Sequence, residues 1–198
     1  MIAIADLGLG NIASVANMLR RLGYEPRICG DAEAAAEAQH IVVPGVGAFD
    51  TGMLGLERSG WVELLGQLRS DQRLLGICLG MQLLSEGSDE GSRPGLGLIP
   101  AHFAPFDPAS VTVPHMGWNE IDVVRPSAIL PSSDDRKRFY FTHSYFAECT
   151  DEEVALAYAD HGSPFVAAYG RGNIFGVQFH PEKSHRFGME LLRNFVES

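Results

Sequence analysis

Residues 74–82 read LLGICLGMQ, and this stretch decides the fold. The apolar run 74–77 predicts a buried strand, and 79–84 predicts the helix that follows it. The G-x-C-x-G pattern between them is typical of a nucleophile elbow, a sharp strand-to-helix turn that lifts a reactive side chain above a sheet. Gly76 and Gly80 are needed because side chains there would clash. The helix N-terminus favours the thiolate of Cys78, although a small core cysteine remains the alternative for this segment alone.

Strand-like and helix-like segments alternate around this elbow. Strands are predicted at 1–5, 25–29 and 41–43, and helices at 12–22, 32–38 and 61–69, the first capped by Asn11 and ended by Gly23. From about Leu96, β-like segments at 138–147, 154–159, 165–169 and 174–179 precede a last helix at 187–196, and 107–110 and 131–136 are predicted as loops. The sequence therefore predicts one three-layer α/β/α domain over residues 1–198, with a mostly parallel, flavodoxin-like sheet and an added antiparallel part.

Composition excludes several classes of function. The formal net charge of -10 disfavours nucleic acid as a partner. Three unclustered cysteines, Cys29, Cys78 and Cys149, argue against a disulfide framework and against a zinc site. The first residues have neither the basic start of a signal peptide nor a long apolar run, so we expect a cytoplasmic protein without a membrane anchor, metal or cofactor.

A cysteine nucleophile needs a base, and Phe179-His180-Pro181-Glu182 supplies one. Pro181 turns the chain after a predicted strand, so His180 and Glu182 are expected on the same side of the turn. Imidazole can take the thiol proton while the carboxylate fixes its tautomer. The histidines without such a context are interpreted as structural or surface residues: His40, His102, His161 and His185.

A second strand end carries Pro44-Gly45-Val46-Gly47. Glycines on both sides of Val46 leave backbone N–H groups free to face a ligand, as an oxyanion hole requires, and the N–H of Leu79 would complete it. A plain glycine turn is the simpler interpretation of this segment when it is taken by itself.

Together these motifs resemble the class I, or triad-type, glutamine amidotransferases. The resemblance is greatest to the glutaminase subunits of imidazole glycerol phosphate synthases. The segments that carry it run in order along the chain: Asp6–Asn11, Pro44–Phe49, Gly76–Leu84, PHMGWN at 114–119, YFTHSY at 140–145 and FGVQFHPEKS at 175–184.

The resemblance implies a role for each matching residue. Cys78 would attack the glutamine carboxamide to form a thioester, His180 would move the proton, and Glu182 would orient His180. The amides of Val46, Gly47 and Leu79 would form the oxyanion hole. The glutamine head group would meet Gln82, Glu90 near its amino group, and His143, Ser144 and Tyr145 at its carboxylate.

The resemblance also implies a partner. Asn11, Trp118, Tyr140 and Lys183 would lie on the face that docks a synthase or cyclase, expected to be a (βα)8 barrel in a heterodimer that receives the ammonia. Without the resemblance, Trp118 and Tyr140 would be interpreted as core aromatics. The chain departs from the family pattern at Leu7, where tyrosine is usual.

Three alternatives stay open on the sequence. The stretches at 90–95 and 183–188 are similar to a paralogous branch that supplies ammonia to sugar-modifying synthases of surface polysaccharides. A cysteine peptidase on a similar sheet would lack the H-P-E segment and the Gln82 and Glu90 pair. A non-catalytic module would not be expected to keep Cys78, His180 and Glu182.

Overall fold

A computed structural model describes residues 1–133 and 136–198. In these residues the strands are β1 (Ile2–Ala5), β2 (Pro26–Cys29), β3 (His40–Gly45), β4 (Arg73–Cys78), β5 (Gly87–Ser88), β6 (Ala101–Pro105), β7 (His115–Val123), β8 (Lys137–His143), β9 (Tyr145–Cys149), β10 (Ala155–Asp160), β11 (Pro164–Arg171) and β12 (Ile174–Val177). The helices are α1 (Ile12–Arg21), α2 (Phe49–Arg58), α3 (Trp61–Gly66), α4 (Leu79–Leu83) and α5 (His185–Glu197).

The central sheet is parallel on one side and antiparallel on the other. Its strand order is β2-β1-β3-β4-β12-β11-β10-β7-β8. The first five strands of this order are parallel, and from β11 onward each neighbour is antiparallel. Strands β9, β6 and β5 branch from β11. The predicted mixed, mostly parallel α/β fold with an additional antiparallel part is confirmed.

Each face of the parallel strands has its own buried core. Ile2, Ile4 and Val42 pack in one cluster with side chains of α1 and α5. Their neighbours in sequence, such as Ala3 and Ile41, point to the opposite face and pack with side chains of α2, α3 and α4. The strand alternation therefore places helices on both sides of the sheet, as the three-layer prediction requires.

Several predicted boundaries are wrong in detail. Asn11 makes no side-chain capping bond; its backbone carbonyl accepts from Ser14 N instead. The alanine-rich segment 32–38 forms only a short 3₁₀ turn at Glu33–Ala35. The β-like segment 138–147 is two strands, β8 and β9, separated at Ser144.

Helix α2 was not predicted because two glycines weaken its helical pattern. A Cβ at Gly52 would lie 2.9 Å from Leu83 Cδ2, and one at Gly55 would lie 3.3 Å from Leu7 Cβ. These glycines therefore serve close packing. The 107–110 segment begins in a turn at Asp107, as predicted, and the loop predicted at 131–136 includes residues 134–135, which lie outside the described residues. Among the described helices, none has both the length and the apolar character needed to cross a membrane.

Candidate active site

The elbow at the end of β4 forces Cys78 into an unusual backbone conformation. Its φ is +54°, a region that residues with a side chain rarely occupy. A Cβ added at Gly76 would lie 2.6 Å from the Gly80 carbonyl oxygen, and one added at Gly80 would lie 1.7 Å from the Val43 oxygen. The turn therefore excludes side chains at both glycines, and this strained position is where functional residues are often held.

Two adjacent parallel strands bring the thiol and the imidazole together. Strand β12 pairs with β4 in register Val177↔Ile77, so the chain after β12 passes beside Cys78. The Cys78 thiol donates to the Thr142 carbonyl at 3.9 Å, and Gln178 Nε2 donates to the sulfur at 3.8 Å. Cysteine and histidine segments about a hundred residues apart thus meet at the carboxyl ends of the strands, where α/β folds place their sites.

The His180 imidazole is buried and paired with Glu182. Nδ1 of His180 lies 2.8 Å from Oε1 of Glu182, and the side chains are 2% and 4% exposed. Burial alone would lower the pKa of His180, but the neighbouring Cys78 and Glu182 together raise it to about 9. The imidazole is therefore protonated at neutral pH beside the thiol, the arrangement that activates a cysteine nucleophile.

Cys78 lines an open cavity of about 420 Å³. Its lining contains every residue that the resemblance implied for the oxyanion hole and the glutamine head group, in addition to Cys78: Val46, Gly47, Leu79, Gln82, Glu90, His143, Ser144 and Tyr145. Ala48 and Thr142 complete the lining. Gln82 Oε1 is buried and lacks a hydrogen-bond partner among the described residues. The structure thus brings these residues together in one cavity of suitable size for an amino acid.

The loop after β3 faces the elbow. Gly45 is the register partner of Cys78, and Val46 beyond it is 40% exposed. In the described part of the chain, no acceptor is hydrogen-bonded to the backbone N–H of Val46 or Gly47. Gly47 has φ +113°, and a Cβ at Gly10 would lie 3.2 Å from Val46 N. Free N–H groups on a glycine-hinged loop can serve a developing oxyanion.

Glu90 is held over the cavity by helix α2. Its Oε2 accepts from the Phe49 backbone N–H at 2.9 Å. The loop after Glu90 is held by Asp50, whose Oδ1 accepts from the backbone N–H groups of Ser92 and Arg93, both at 3.0 Å. These bonds lower the pKa of Asp50, Arg93 N–H first and then Ser92 N–H. The Glu90 loop and the loop after β3 are therefore fastened to the same helix end.

The expected docking residues gather around the turn that carries Glu182. Trp118 and Tyr140 are register partners with rings 6.2 Å apart, and Lys183 Nζ lies 5.5 Å from the Tyr140 ring centre. Trp118 also stacks on His185 at 5.3 Å. Asn11 is exposed at the start of α1, a helix that contacts the 181–183 turn. Trp118 is 42% exposed, so its interpretation as a core aromatic is wrong.

Comparison with known proteins decides the family. The sequence profile described as "Glutamine amidotransferase class-I" matches residues 3–198. This chain belongs to the class I glutamine amidotransferases. The amidotransferase is 44% identical over 200 residues to a Pseudomonas aeruginosa protein named "Imidazole glycerol phosphate synthase subunit HisH 2", with 100% of this chain and 99% of that protein covered. It is 45% identical over 203 residues to the Bdellovibrio bacteriovorus protein "Imidazole glycerol phosphate synthase subunit HisH", with 100% of both covered.

Solved structures of related fold agree. A glutamine amidotransferase crystal structure matches with a TM-score of 0.77 at 19% identity, covering 99% of this chain and 97% of the other. A glutamine amidotransferase from Thermotoga maritima matches with a TM-score of 0.65 at 16% identity, covering 100% and 83%. At these identities the likeness establishes the fold that the amidotransferase shares with them.

Two parts of the site were not found from the sequence. Gln178 is fully buried, contacts the Cys78 sulfur and leaves its Oε1 without a partner among the described residues. The signal available in the sequence was a single amide side chain, two residues before His180, in an otherwise apolar segment. The second part is the contact between His115 and His143. It was not found because no pattern in a single sequence shows which residues of two strands will lie opposite each other. No group of three or more potential metal-binding side chains occurs in the described ranges of this amidotransferase.

Proposed function

We propose that residues 1–198 act as one glutaminase domain, which hydrolyses L-glutamine to glutamate and ammonia as a subunit of imidazole glycerol phosphate synthase. The observation that carries the chemistry is that Cys78 lines the cavity and also neighbours the buried His180–Glu182 pair. The full-length relatives named as subunits of that synthase support the pathway.

The reaction begins with attack of the Cys78 sulfur on the carboxamide carbon of glutamine. The carbonyl oxygen gains negative charge, which the N–H groups of Val46 or Gly47 and of Leu79 stabilise. The imidazolium of His180 gives its proton to the departing nitrogen, so ammonia leaves and a γ-glutamyl thioester remains. Water then attacks the thioester while His180 takes its proton; glutamate is released, and the free Cys78 sulfur and the protonated His180 are both restored.

Glutamine would be held at its other end by charge and by backbone. Glu90 and the 143–145 segment line the same cavity, which supports a proposal that the Glu90 carboxylate binds the α-amino group and that the segment binds the α-carboxylate. The unpartnered Oε1 of Gln82 offers a further acceptor inside the cavity. An amide lacking the α-amino and α-carboxylate groups would leave these polar groups unpaired, which gives selectivity for glutamine.

We further propose that a cyclase subunit, a (βα)8 barrel forming a heterodimer with this chain, docks at Asn11, Trp118, Tyr140 and Lys183 and receives the ammonia. An exposed tryptophan beside a tyrosine and a lysine is typical of an interface anchor. The Tyr140 carbonyl accepts from the His180 backbone N–H at 2.8 Å, so a residue of the docking face is hydrogen-bonded to the catalytic histidine itself. A cytoplasmic location fits the free cysteines.

Docking would also control the rate. The N–H groups of the loop after β3 can be turned toward or away from the oxyanion at low cost because Gly45 and Gly47 flank Val46. One missing oxyanion donor typically costs about 100- to 1000-fold in rate. We therefore expect the isolated chain to hydrolyse glutamine slowly, and its cognate synthase with bound ligand to activate it at least about 100-fold. Full activity of the isolated chain, unchanged by the partner, would refute this gating.

The deciding experiment is Cys78→Ala in complex with the synthase. Glutamine-dependent turnover should be lost, while turnover with added ammonium should persist because the synthase needs only ammonia. Cys149→Ala is the matched control and should leave both activities unchanged, since that thiol lies outside the cavity and burial raises its pKa to about 11. Glutamine-dependent turnover in Cys78→Ala would overturn the proposal.

The pathway is tested by the choice of partner. Activation by a histidine-pathway cyclase with its ribonucleotide ligand supports the proposal. Activation only by a sugar-modifying synthase would show instead that the chain belongs to the paralogous branch of surface-polysaccharide synthesis. The names of the full-length relatives do not favour the second branch.

A further inference from the structure

A continuous chain of hydrogen bonds runs from Asn119 to the 143–145 segment. Asn119 Nδ2 lies 3.2 Å from His115 Nε2 and 2.7 Å from the Asp160 carbonyl oxygen. His115 Nδ1 lies 2.9 Å from His143 Nε2. His143 Nδ1 lies 2.8 Å from the Tyr145 carbonyl oxygen. Two histidines are thus linked in series between an amide and a backbone carbonyl.

This chain has one consistent direction. A carbonyl only accepts, so His143 Nδ1 must carry hydrogen toward Tyr145. Neutral His143 then accepts at Nε2, which requires His115 to donate from Nδ1. Neutral His115 in turn accepts at Nε2 from the Asn119 amide, which has a second hydrogen for the Asp160 carbonyl. Each ring is therefore fixed in the tautomer protonated at Nδ1.

The surroundings keep both rings neutral. His115 and His143 are 6% and 5% exposed. His161 stacks on His115 at 4.3 Å, and its Nε2 donates to the Thr112 carbonyl. Burial first, and the neighbouring His161 second, lower the pKa of His115 to about 4. Burial lowers the pKa of His143 to about 3. The hydrogen bond to the Tyr145 carbonyl raises this pKa in part, and the charge on His180 lowers it further. A second cation here would face the protonated His180.

The chain of hydrogen bonds ends at the 143–145 segment, whose residues line the cavity. Phe106 N–H donates to the Ser144 carbonyl at 3.0 Å, next to the register pair of Pro105 with Tyr145. In an antiparallel ladder the next residue, Tyr145, then directs its N–H and C=O away from that partner strand. His143 holds this C=O. The orientation of the 143–145 peptide groups is thereby set from both sides.

We propose that His115 and Asn119 are positioning residues for glutamine, which act through His143 to orient the 143–145 backbone that receives the substrate α-carboxylate. This inference rests on the proposed glutaminase function. It predicts that loss of the His115 donor weakens recognition of the carboxylate while the Cys78 thiol stays reactive.

The test compares two reagents on Cys78 of the chain in complex with its cognate synthase and that enzyme's ligand. The glutamine analogue 6-diazo-5-oxo-L-norleucine carries an α-carboxylate, and iodoacetamide does not. His115→Phe fills the aromatic site but donates nothing, whereas the Nδ2 of His115→Asn can occupy the place of Nδ1 and donate to His143. His40→Phe is the matched control, because that half-buried ring contacts Phe195 away from the cavity.

In His115→Phe, the labelling rate with the norleucine reagent should fall at least about tenfold, while the iodoacetamide rate stays within about twofold. His115→Asn should recover most of the loss, and His40→Phe should match the wild type. An equal fall with both reagents, no fall, or no recovery in His115→Asn would overturn the proposal. Failure of the norleucine reagent to label the wild-type chain at all would instead refute the glutaminase function.

Nitrogen-15 NMR of the imidazole rings gives a second readout that a merely structural role would not produce. In the wild type, His115 and His143 should both be neutral and protonated at Nδ1 from pH 8 down to pH 5. In His115→Phe, His143 should lose this fixed tautomer. A wild-type His143 protonated at Nε2 would contradict the direction of the chain and with it the proposal.

Discussion

Replacing Glu182 by glutamine isolates the charge of the triad carboxylate. Oε1 of Glu182 accepts from His180 Nδ1 at 2.8 Å, and glutamine keeps an acceptor of the same shape there. The tautomer of His180 is therefore retained, and only the negative charge is lost. Cys78→Ala and His180→Ala, by contrast, each remove a group that forms or breaks bonds to hydrogen or carbon, so their losses should be similar and near complete.

The size of the effect follows from burial. A hydrogen bond to a buried charged group contributes about 1.5–3 kcal/mol, so kcat/KM for Glu182→Gln should fall about 10- to 150-fold. The pKa of His180, about 9 in the wild type, should also fall, because burial is then opposed by Cys78 alone. The alkaline limb of the rate profile should move to lower pH, since the imidazolium is lost earlier.

The assay is glutamine hydrolysis by the complex with its synthase, measured as kcat/KM from pH 6 to pH 10. Glu148→Gln is the matched control: this glutamate is exposed on β9, so its rate and profile should equal those of the wild type. A loss in Glu182→Gln as large as in His180→Ala, or an unmoved alkaline limb, would refute the orienting and charge-stabilising role of Glu182.

Three further predictions concern the elbow, the acid stability and the Glu90 loop. Gly80→Ala should destabilise the fold by about 3 kcal/mol, because its Cβ would lie 1.7 Å from a carbonyl oxygen of β3, whereas Gly66→Ala, with open space, should unfold near the wild-type temperature. In the folded protein the pKa values of His143 and His115, about 3 and about 4, lie below the value of about 6.5 for an unfolded histidine, so the stability contributed by these two neutral rings is fully present above pH 6.5, and each ring should remove up to about 1.4 kcal/mol per pH unit as the pH falls toward its folded pKa; urea midpoints that rise between pH 7 and pH 5 would contradict this. Asp50→Ala should free the Glu90 loop and raise the KM for glutamine more than it lowers kcat, and steady-state kinetics with an unchanged KM would contradict the clamp.

Local patterns predicted the elements that carry the reactive groups. The apolar run before Cys78 and the run before His180 are strands, and the two glycines of the elbow are needed for the reason given from sequence. The pairing of Cys78 with His180 was expected from the residue types and their strand ends, and the family resemblance supported it. The contact itself depends on the parallel pairing of β4 with β12, which local patterns do not predict. The roles assigned to the cavity residues stay predictions.

What the sequence did not predict has physical causes. Helix α2 contains Gly52 and Gly55, which disfavour helix locally but let Leu83 and Leu7 approach, so tertiary packing overrides propensity. His161 was interpreted as a structural or surface residue. Its stacking on His115 exists only once β7 and the turn after β10 are brought together, and a single sequence holds no periodic signal for that contact.

The pairing of β4 with β12 has a consequence for how activity appears during folding. Gln178 contacts the Cys78 sulfur across a sequence separation of 100 residues, and the antiparallel strands lie between the two residues in sequence. Closing so long a loop is entropically costly, and contacts of this kind form late. A chain that has assembled β1 to β4 would hold a cysteine with no base beside it. In a refolding experiment, labelling of Cys78 by a glutamine analogue should therefore appear later than the helical circular-dichroism signal. Partly folded molecules would then release no ammonia.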